Sequence, residues 1–537
     1  MACPTKLEKE ELESLFDDET PSRAPSDADH RECLTSRFVL RQRVYKQQFS
    51  HIYFLRLLGL RGPVKDAAER KWVLPAVDAG LTPPPYVEKV LDVRPGEVCY
   101  IIGTVYVDMT LKPNILHDVA NEVGLLTHAD VVSAFYLHHV AAPPPRSKYT
   151  GDGDSVALED ESGRVQLTGT WLKKGIHVSG IIMAILGSEK SASSFEVLDF
   201  CLPGLAPQKP LSCLPGNGGD IVFCNWFVVS IELQKRLGRL NSVYPTGGDG
   251  QSKYVALVSC LRLGNGKPLS AETEILIEYL TGELGSELDR EQCSRIVHVV
   301  LAGNLLAKPV LVDDDKKPCR CHFTASRRYV FRDTPSSCGL QKRYGQELAP
   351  SSGESLRNLD ALLERICETV TTVDVMPGET DPSNVTLPQQ PMHPSLFPKA
   401  RRYSSFNSVP NPYWMSECGV TFLGNSGQPL ADIDKYLSAT DRLEMAVSTL
   451  NWRHMAPTAP DTLWCYPFTD QDPFIMTESP HVYFIGNQPE FMTRVVDGED
   501  GQRVRVVLVP SFEETGTVVL VDLVTLDCHL LHLRKEF

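Results

Sequence analysis

The spacing of apolar residues changes along the chain, and each change marks a different kind of structure. Between 37 and 60, Tyr45, Phe49, Ile52, Leu55 and Leu58 recur at steps of three and four. That period predicts a helix, with Arg41, Arg43, Lys46 and Arg56 on its wet faces. From 97 to 202 the apolar runs shorten. EVCYIIGTVYVD, ALED, RVQLTG, HVSGIIMAILGS and SFEVLDFCLP read as strands, with a turn at Glu161-Ser162-Gly163 and a short helix at ILHDVANEVG. Five short strands with a Gly-containing hairpin predict a small Greek-key barrel of the OB type.

From 253 onward the rhythm is strand, helix, strand. KYVALVSCLRLG, RIVHVVLAGN and Val373 to Met376 read as buried strands. AETEILIEYLTGELG and ESLRNLDALLERICETV read as helices, the second with Leu356, Leu359, Leu363, Ile366 and Val370 on one face. Buried strands alternating with helices predict a largely parallel sheet, with any site in the loops at the carboxyl ends of the strands. TDRLEMAVSTLNWRH then reads as a helix and HVYFIGN as a strand. RVRVVLVP, TVVLVDL and DCHLLHL follow at short intervals and predict a second sheet packed on the first. The expected architecture is thus a β-barrel followed by a two-sheet β core flanked by helices.

Composition sets the boundaries. Residues 1–34 are acidic with Ser and Pro and read as a disordered tail. Residues 35–210 hold the helix and the barrel. Residues 211–252 are rich in Gly and Pro and read as a linker or insertion, and 253–537 form the second domain, with a weakly patterned loop at 307–353. The whole chain has 537 residues and a net charge of -15. That balance argues against a protein built to wrap nucleic-acid phosphates. No apolar run reaches ~18 residues and no apolar leader follows the start, so neither secretion nor membrane spanning is expected. The 15 cysteines include no C-x-x-C pair and read as reduced intracellular thiols. Cys319, Cys321 and His322 lack the spacing of a zinc site. His393, His454 and His481 have no evident nucleophile or carboxylate pair beside them and read as structural.

The predicted strand ends carry the candidate chemistry. They read Ser259-Cys260-Leu261, Gly303-Asn304, Gly378-Glu379-Thr380-Asp381 and Gly486-Asn487-Gln488-Pro489. The layout resembles the calcineurin-like phosphoesterases, whose strand ends carry D-x-H, G-D, G-N-H-D/E and G-H-x-H to hold two divalent cations that activate a water. Here the turn glycines stand, but the ligand positions hold Ser259, Leu261, Asn304, Thr380, Asn487 and Pro489. Glu379 and Asp381 lack companions to complete a shell. The resemblance therefore implies an inactivated phosphoesterase fold with no catalytic residue, no metal and no cofactor.

A barrel followed by such a domain is the arrangement of the accessory B-type chains of eukaryotic replicative DNA polymerases. FSHIYFLRL, LEDESGRVQLTG, VLAGNLL, VDVMPGETDPSNVTLPQQPMHPSLFP, TAPDTLWCYPF and PHVYFIGNQPEF resemble that family in order along the chain. The resemblance implies a non-catalytic scaffold subunit, nuclear, serving DNA replication and repair. It would hold the C-terminal domain of the catalytic polymerase chain and dock a third subunit that reaches the sliding clamp, meeting DNA only through the complex. Phe49, Tyr53, Trp464, Tyr466 and Phe468 are the expected interface aromatics. Two other classes stay open at this point: a single-stranded DNA-binding barrel using Tyr100, Tyr106, Trp171 and Phe195 as a stacking platform, and an active metallophosphoesterase.

Overall fold

The N-terminal helix starts later than its periodicity predicts. In this computed structural model, which describes residues 35–41, 44, 46–112, 146–170, 177–191, 194–211, 252–264, 269–284, 286–307, 353–438 and 441–533, helix α1 spans Ser50–Ala68. The described residues before it form an irregular strap. Phe38 is fully buried in the core, and the Gln390 side chain brackets it, accepting from Leu40 N at 2.8 Å and donating to Phe38 O at 2.9 Å. The described residues at 44 and 46–48 carry no helical turn, and Arg43 and Tyr45 lie outside the described residues. The expected tail, nearly all of 211–252 and of 307–353, the ILHDVANEVG helix, Trp171 and the Cys319, Cys321 and His322 trio lie outside the described residues.

Helix α1 packs Leu57, Leu60, Val64 and, within the π turn Glu69–Val73 that follows it, Trp72 against Tyr100, Ile102, Ile182 and Ala184 of the barrel. The barrel strands are β1 (Cys99–Asp108), β2 (Ser155–Glu159), β3 (Arg164–Thr168), β4 (Ile182–Ser191) and β5 (Ser194–Cys201). They close in the order β1-β2-β3-β5-β4, with β3 and β5 parallel and the other pairs antiparallel. Ile101, Val105, Leu158, Val165, Leu167, Met183 and Phe195 fill the interior. Because α1 covers its outer side, β1 is buried on both faces, which is why CYIIGTVYVD reads as a continuous apolar run rather than an alternation.

The second domain stacks two sheets. The first has the order β16-β15-β6-β7-β8-β9. Its parallel part is β6 (Tyr254–Val258), β7 (Ile296–Ala302), β8 (Thr372–Met376) and β9 (Phe406–Ser408). Strands β15 (Thr517–Asp522) and β16 (Cys528–His532) extend it antiparallel. The second sheet has the order β10-β11-β12-β14-β13, from β10 (Tyr413–Glu417), β11 (Val420–Asn425), β12 (Val482–Gln488), β13 (Met492–Asp497) and β14 (Arg503–Pro510). Val255, Leu257, Val300, Phe422, Phe484, Val507 and Val519 interlock between the sheets. Helices α2 (Ala271–Leu280) and α4 (Gly353–Thr369), with α3 (Glu287–Ser294) between them in sequence, accompany the first sheet; Leu276, Leu359, Leu363 and Ile366 pack on its outer face. Helices α5 (Gln428–Lys435) and α6 (Arg442–Asn451) cover the second sheet, and their apolar cluster runs on into the barrel interior.

One expectation about this domain is corrected. The last three strands do not form a sheet of their own: β14 joins the second sheet and β15 and β16 return to the first. All three are short Val- and Leu-rich segments, and sheet membership is decided by pairing across loops, which period alone does not encode.

Candidate functional site

The strand ends meet at the mouth between the two sheets. The loops after β6 and β7 run side by side, with Cys260 N donating to Gly303 O at 2.9 Å and Arg262 N to Asn304 O at 3.1 Å. The turn after β8 packs on the turn after β7 so tightly that a Cβ on Gly378 would lie 2.3 Å from Asn304 N. Asn304 and Asn487 have φ of 55° and 56°. Asn is one of the few side-chain-bearing residues that adopt this left-handed conformation readily.

Neutral groups bonded to one another fill this mouth. Asn304 Oδ1 accepts from Thr380 N at 3.2 Å, and Thr380 Oγ1 donates to Leu306 O at 2.6 Å. Ser259 Oγ donates to Pro510 O at 3.0 Å and accepts from Asn487 N at 3.0 Å. Asn487 Nδ2 donates to Ser426 O at 2.6 Å, while its Oδ1 is buried with no partner among the described residues. Behind them Asn411 Nδ2 donates to Gln389 Oε1 at 2.8 Å, Ser426 Oγ at 2.6 Å and Gln428 Oε1 at 3.1 Å. Gln389 Nε2 in turn donates to Gly378 O at 2.9 Å.

The remaining candidate ligands do not converge. Asp381 is fully buried and accepts from Leu306 N at 2.9 Å and Gly378 N at 2.8 Å. Burial pushes its carboxyl up to about 6, against the pull of those N–H groups. Glu379 and Pro489 are exposed, and Leu261 packs into the apolar cluster under the helices. No three His, Cys, Asp or Glu side chains among the described residues group so as to hold a metal ion. A pair of divalent cations needs several hard anionic or imidazole donors. Amides already committed to backbone groups do not fit that need.

The predicted interface aromatics come from two segments that meet. Val44 N, on the strap, donates to the Tyr466 hydroxyl at 2.8 Å. Tyr466 is buried against Phe468, ring centroids 5.0 Å apart, and Phe468 and Tyr53 are half-buried in the same cluster. Burial, and then Asp461, raise the Tyr53 hydroxyl far above its usual range. Tyr53 and Tyr466 thus belong to the seam's interior. Phe49 and Trp464 stand at the surface, 47% and 48% exposed, and α1 adds Phe54 and Leu58, at 53% and 62%.

Helical period puts Arg56 on a wet face, and the structure corrects this: its side chain is fully buried. Its guanidinium donates to Asp472 at 2.8 Å, Gly180 O at 3.1 Å, Pro457 O at 2.7 Å and Ala459 O at 2.7 Å. One side chain therefore ties helix, barrel and second domain together. His454 Nε2 also meets Asp472 at 2.8 Å, while its Nδ1 accepts from Ala456 N. Burial, and then the Arg56 charge, push His454 down to about 4, so it is neutral at pH 7. Burial opposes the Asp472 charge, yet His454 and Arg56 hold that carboxyl well below its usual range. The available signal was an arginine inside FLRLLGL, with leucines on every side.

Among the described residues the barrel offers little stacking surface. Tyr100 and Phe195 are buried, and Tyr106 lies between the cations of Lys112 and Arg164, 5.0 Å and 4.3 Å from its ring centroid.

Comparison with known proteins matches both halves. A family model for the B subunit of DNA polymerase alpha/epsilon covers residues 255–493, and one described as the DNA polymerase delta subunit OB-fold domain covers 48–200. The chain is 35% identical over 507 residues to the DNA polymerase delta small subunit of Arabidopsis thaliana, an alignment covering 94% of this chain and 95% of that protein. Against the DNA polymerase delta small subunit of Oryza sativa subsp. japonica the identity is 33% over 505 residues, covering 94% and 97%. Against DNA polymerase delta subunit 2 of Drosophila melanogaster it is 31% over 508 residues, again covering 94% and 97%.

Proposed function

The chain belongs to the family of DNA polymerase delta small subunits and is an accessory subunit of that polymerase complex; on that premise we propose that it is the complex's rigid, non-catalytic scaffold. In this reading residues 35–210 form the helix-plus-OB-fold domain, 211–252 a linker or insertion, and 253–537 an inactivated calcineurin-like phosphoesterase domain. The chain bridges the C-terminal domain of the catalytic subunit of DNA polymerase delta and a third subunit, reaches the sliding clamp through the latter, and meets DNA only through the complex. It works in the nucleus, in replication and repair. No helix among the described residues is long and apolar enough to cross a membrane.

The observation that carries this reading is the mouth between the sheets, where Asn304 is bonded to Thr380 and Ser426 to both Asn411 and Asn487. A fold kept without ligand chemistry is held by another demand, and binding is the simplest. The expected outcome with excess Mn²⁺ is no phosphodiester hydrolysis. Metal-dependent hydrolysis abolished by Glu379→Ala with Asp381→Ala would overturn the scaffold reading.

The binding side is tested at the surface. A permanent interface between subunits buries more than ~2,000 Å² with an apolar centre. Phe54→Glu and Trp464→Glu introduce charge on exposed side chains, so the fold tolerates them where Tyr53→Glu or Tyr466→Glu would not. Pull-down of the catalytic and third subunits, with clamp-dependent processive synthesis, is expected to drop about tenfold or more for an apolar anchor turned into a charge. Folded variants that leave both unchanged would remove this face from the interface.

A further inference from the structure

The segment that leads into edge strand β9 mixes fastened and free side chains. Asp360 of α4 accepts from Lys399 N at 3.1 Å and from Ala400 N at 3.0 Å, and a single 3-10 turn follows at Ala400–Arg402. Ala400 is fully buried, and Tyr403 and Phe406 pack into the apolar cluster under the helices. Ser405 Oγ donates to Cys367 O of α4 at 2.6 Å. Between these anchors Arg401, Arg402 and Ser404 are exposed. The Ser404 hydroxyl makes no hydrogen bond among the described residues. Two adjacent serines therefore differ: Ser405 is fastened to a helix backbone and Ser404 is free.

The charges follow the same division. The chain has a net charge of -15, and neighbouring cations are paired with carboxylates, Lys399 with Glu364 at 2.8 Å and Arg365 with Glu274 at 3.0 Å. Arg401 and Arg402 form no ion pair among the described residues. Arg401-Arg402-Tyr403-Ser404 is also the one R-R-x-S in the sequence. Two guanidinium forks set just ahead of a hydroxyl suit the cleft of an Arg-directed protein kinase. Carboxylates there take the forks and leave the hydroxyl at the nucleotide. Such a cleft takes its substrate extended. Tyr403 is already extended, with φ -90° and ψ 136°. Only the 3-10 turn has to open, and it is closed by Arg402 N donating to Lys399 O at 3.1 Å and Tyr403 N to Ala400 O at 3.0 Å. A short surface turn of this kind opens without unfolding the domain behind it.

We propose that Ser404 is a phosphorylation site, served by an Arg-directed Ser/Thr protein kinase with ATP as the donor. Ser404 Oγ attacks the γ-phosphorus of ATP. The new O–P bond forms as the bond to the β-phosphate oxygen breaks, ADP leaves, and the hydroxyl proton passes to the kinase's catalytic carboxylate. The phosphate brings a charge of about -1.5 to -2 at pH 7, beside arginines two and three residues back. Its oxygens fit guanidinium forks, so two unpaired cations at the β9 edge become a nearly neutral cluster. The modification thus switches the charge of this face and leaves the bond of Ser405 to Cys367 in place.

The test treats the folded full chain with the catalytic subunit of cyclic-AMP-dependent protein kinase, ATP and Mg²⁺, and maps the phosphate by mass spectrometry. The expected result is phosphate on Ser404, absent from Ser404→Ala. Arg401→Ala with Arg402→Ala is expected to lower kcat/KM at Ser404 about a hundredfold or more, the worth of two charge-assisted contacts. All three positions are exposed, so these variants keep the fold. Asn411→Ala separates local opening from unfolding. It makes the unfolded chain about tenfold or more commoner and should leave the Ser404 rate unchanged, because only the turn has to open. A Ser404 rate that climbs in this variant overturns the inference, since the serine would then be reached only by unfolding. A folded chain left unmodified at Ser404, or a Ser404 rate indifferent to both arginines, overturns it as well.

Discussion

Two buried polar clusters of this molecule differ in charge, and the difference separates what each is for. At the junction of helix, barrel and second domain, Arg56, Asp472 and His454 sit fully out of solvent and keep a guanidinium against a carboxylate. At the mouth between the sheets, Asn304, Asn411, Ser426 and Gln389 make a comparable network from neutral groups, with Asp381 held by backbone N–H groups alone. A buried ion pair costs desolvation and gives geometry in return: its partners must meet in one arrangement. That suits a junction of distant chain segments. Neutral amides cost less to bury and crosslink loops, but they give up metal chemistry. The molecule keeps a guanidinium–carboxylate pair where distant segments are fastened and mostly neutral amides and hydroxyls where the strand-end loops meet.

The largest expected effect comes from breaking the charged cluster. Arg56→Ala leaves Asp472 buried beside a neutral imidazole and leaves three carbonyl groups without their donor. Removing one partner of a buried pair costs about 3–5 kcal/mol. Urea unfolding of the full chain is the measurement, and limited proteolysis is expected to separate barrel from second domain in the variant. Arg56→Leu combined with Asp472→Leu should cost less than the two single changes summed, because neither charge is then stranded. An additive double mutant would mean that the pair fastens nothing.

The neutral cluster is expected to break more gently. Asn411→Ala deletes the amide whose two N–H groups reach Gln389, Ser426 and Gln428, and the acceptor of Ser426 N at 3.1 Å, at a position with no solvent exposure. Buried polar groups left without partners cost about 1–3 kcal/mol. The loss should appear in the unfolding midpoint without releasing the barrel to proteolysis. A loss as large as that of Arg56→Ala would erase the distinction between the clusters.

How much of this was legible followed from geometry. Strands buried on both faces show as short, mostly apolar runs without a polar face, so β6, β7 and β8 could be read from YVALV, IVHVVLA and TVDVM despite His298 and Asp374. The glycines and asparagines after them were visible as turn residues. Their left-handed backbone explains why asparagine stands there. The amide cluster was not legible: Gln389, Asn411 and the Ser426–Gln428 turn belong to three separate stretches of chain, and no spacing marks them as neighbours. Arg56 was misplaced because helical period reports which faces are apolar, and a paired arginine can occupy an apolar face. The strap was missed because a single anchoring ring, Phe38, leaves no period at all.

A third cluster lies between the two extremes and titrates. His298 of β7 meets Asp374 of β8 at 2.8 Å and Glu417 of β10 at 3.2 Å, so it joins both sheets; Asn407 and Tyr413 also donate to Asp374. Burial alone would push the imidazole down, but Asp374 and then Glu417 overcome it and lift it to about 9. A histidine raised above its unfolded value of ~6.5 contributes stability that is complete below that pH and is lost as pH rises through the folded value. The full chain should therefore lose unfolding free energy between about pH 6.5 and 9, on the order of 1 kcal/mol, since Glu417 is partly open to solvent screening. His298→Gln keeps a donor for Asp374 without a titrating charge. The difference between wild type and this variant should be largest near pH 6 and shrink toward pH 9. If the difference instead grew with pH, His298 would be neutral in the native state, and this link between the sheets would belong with the amide cluster rather than with Arg56.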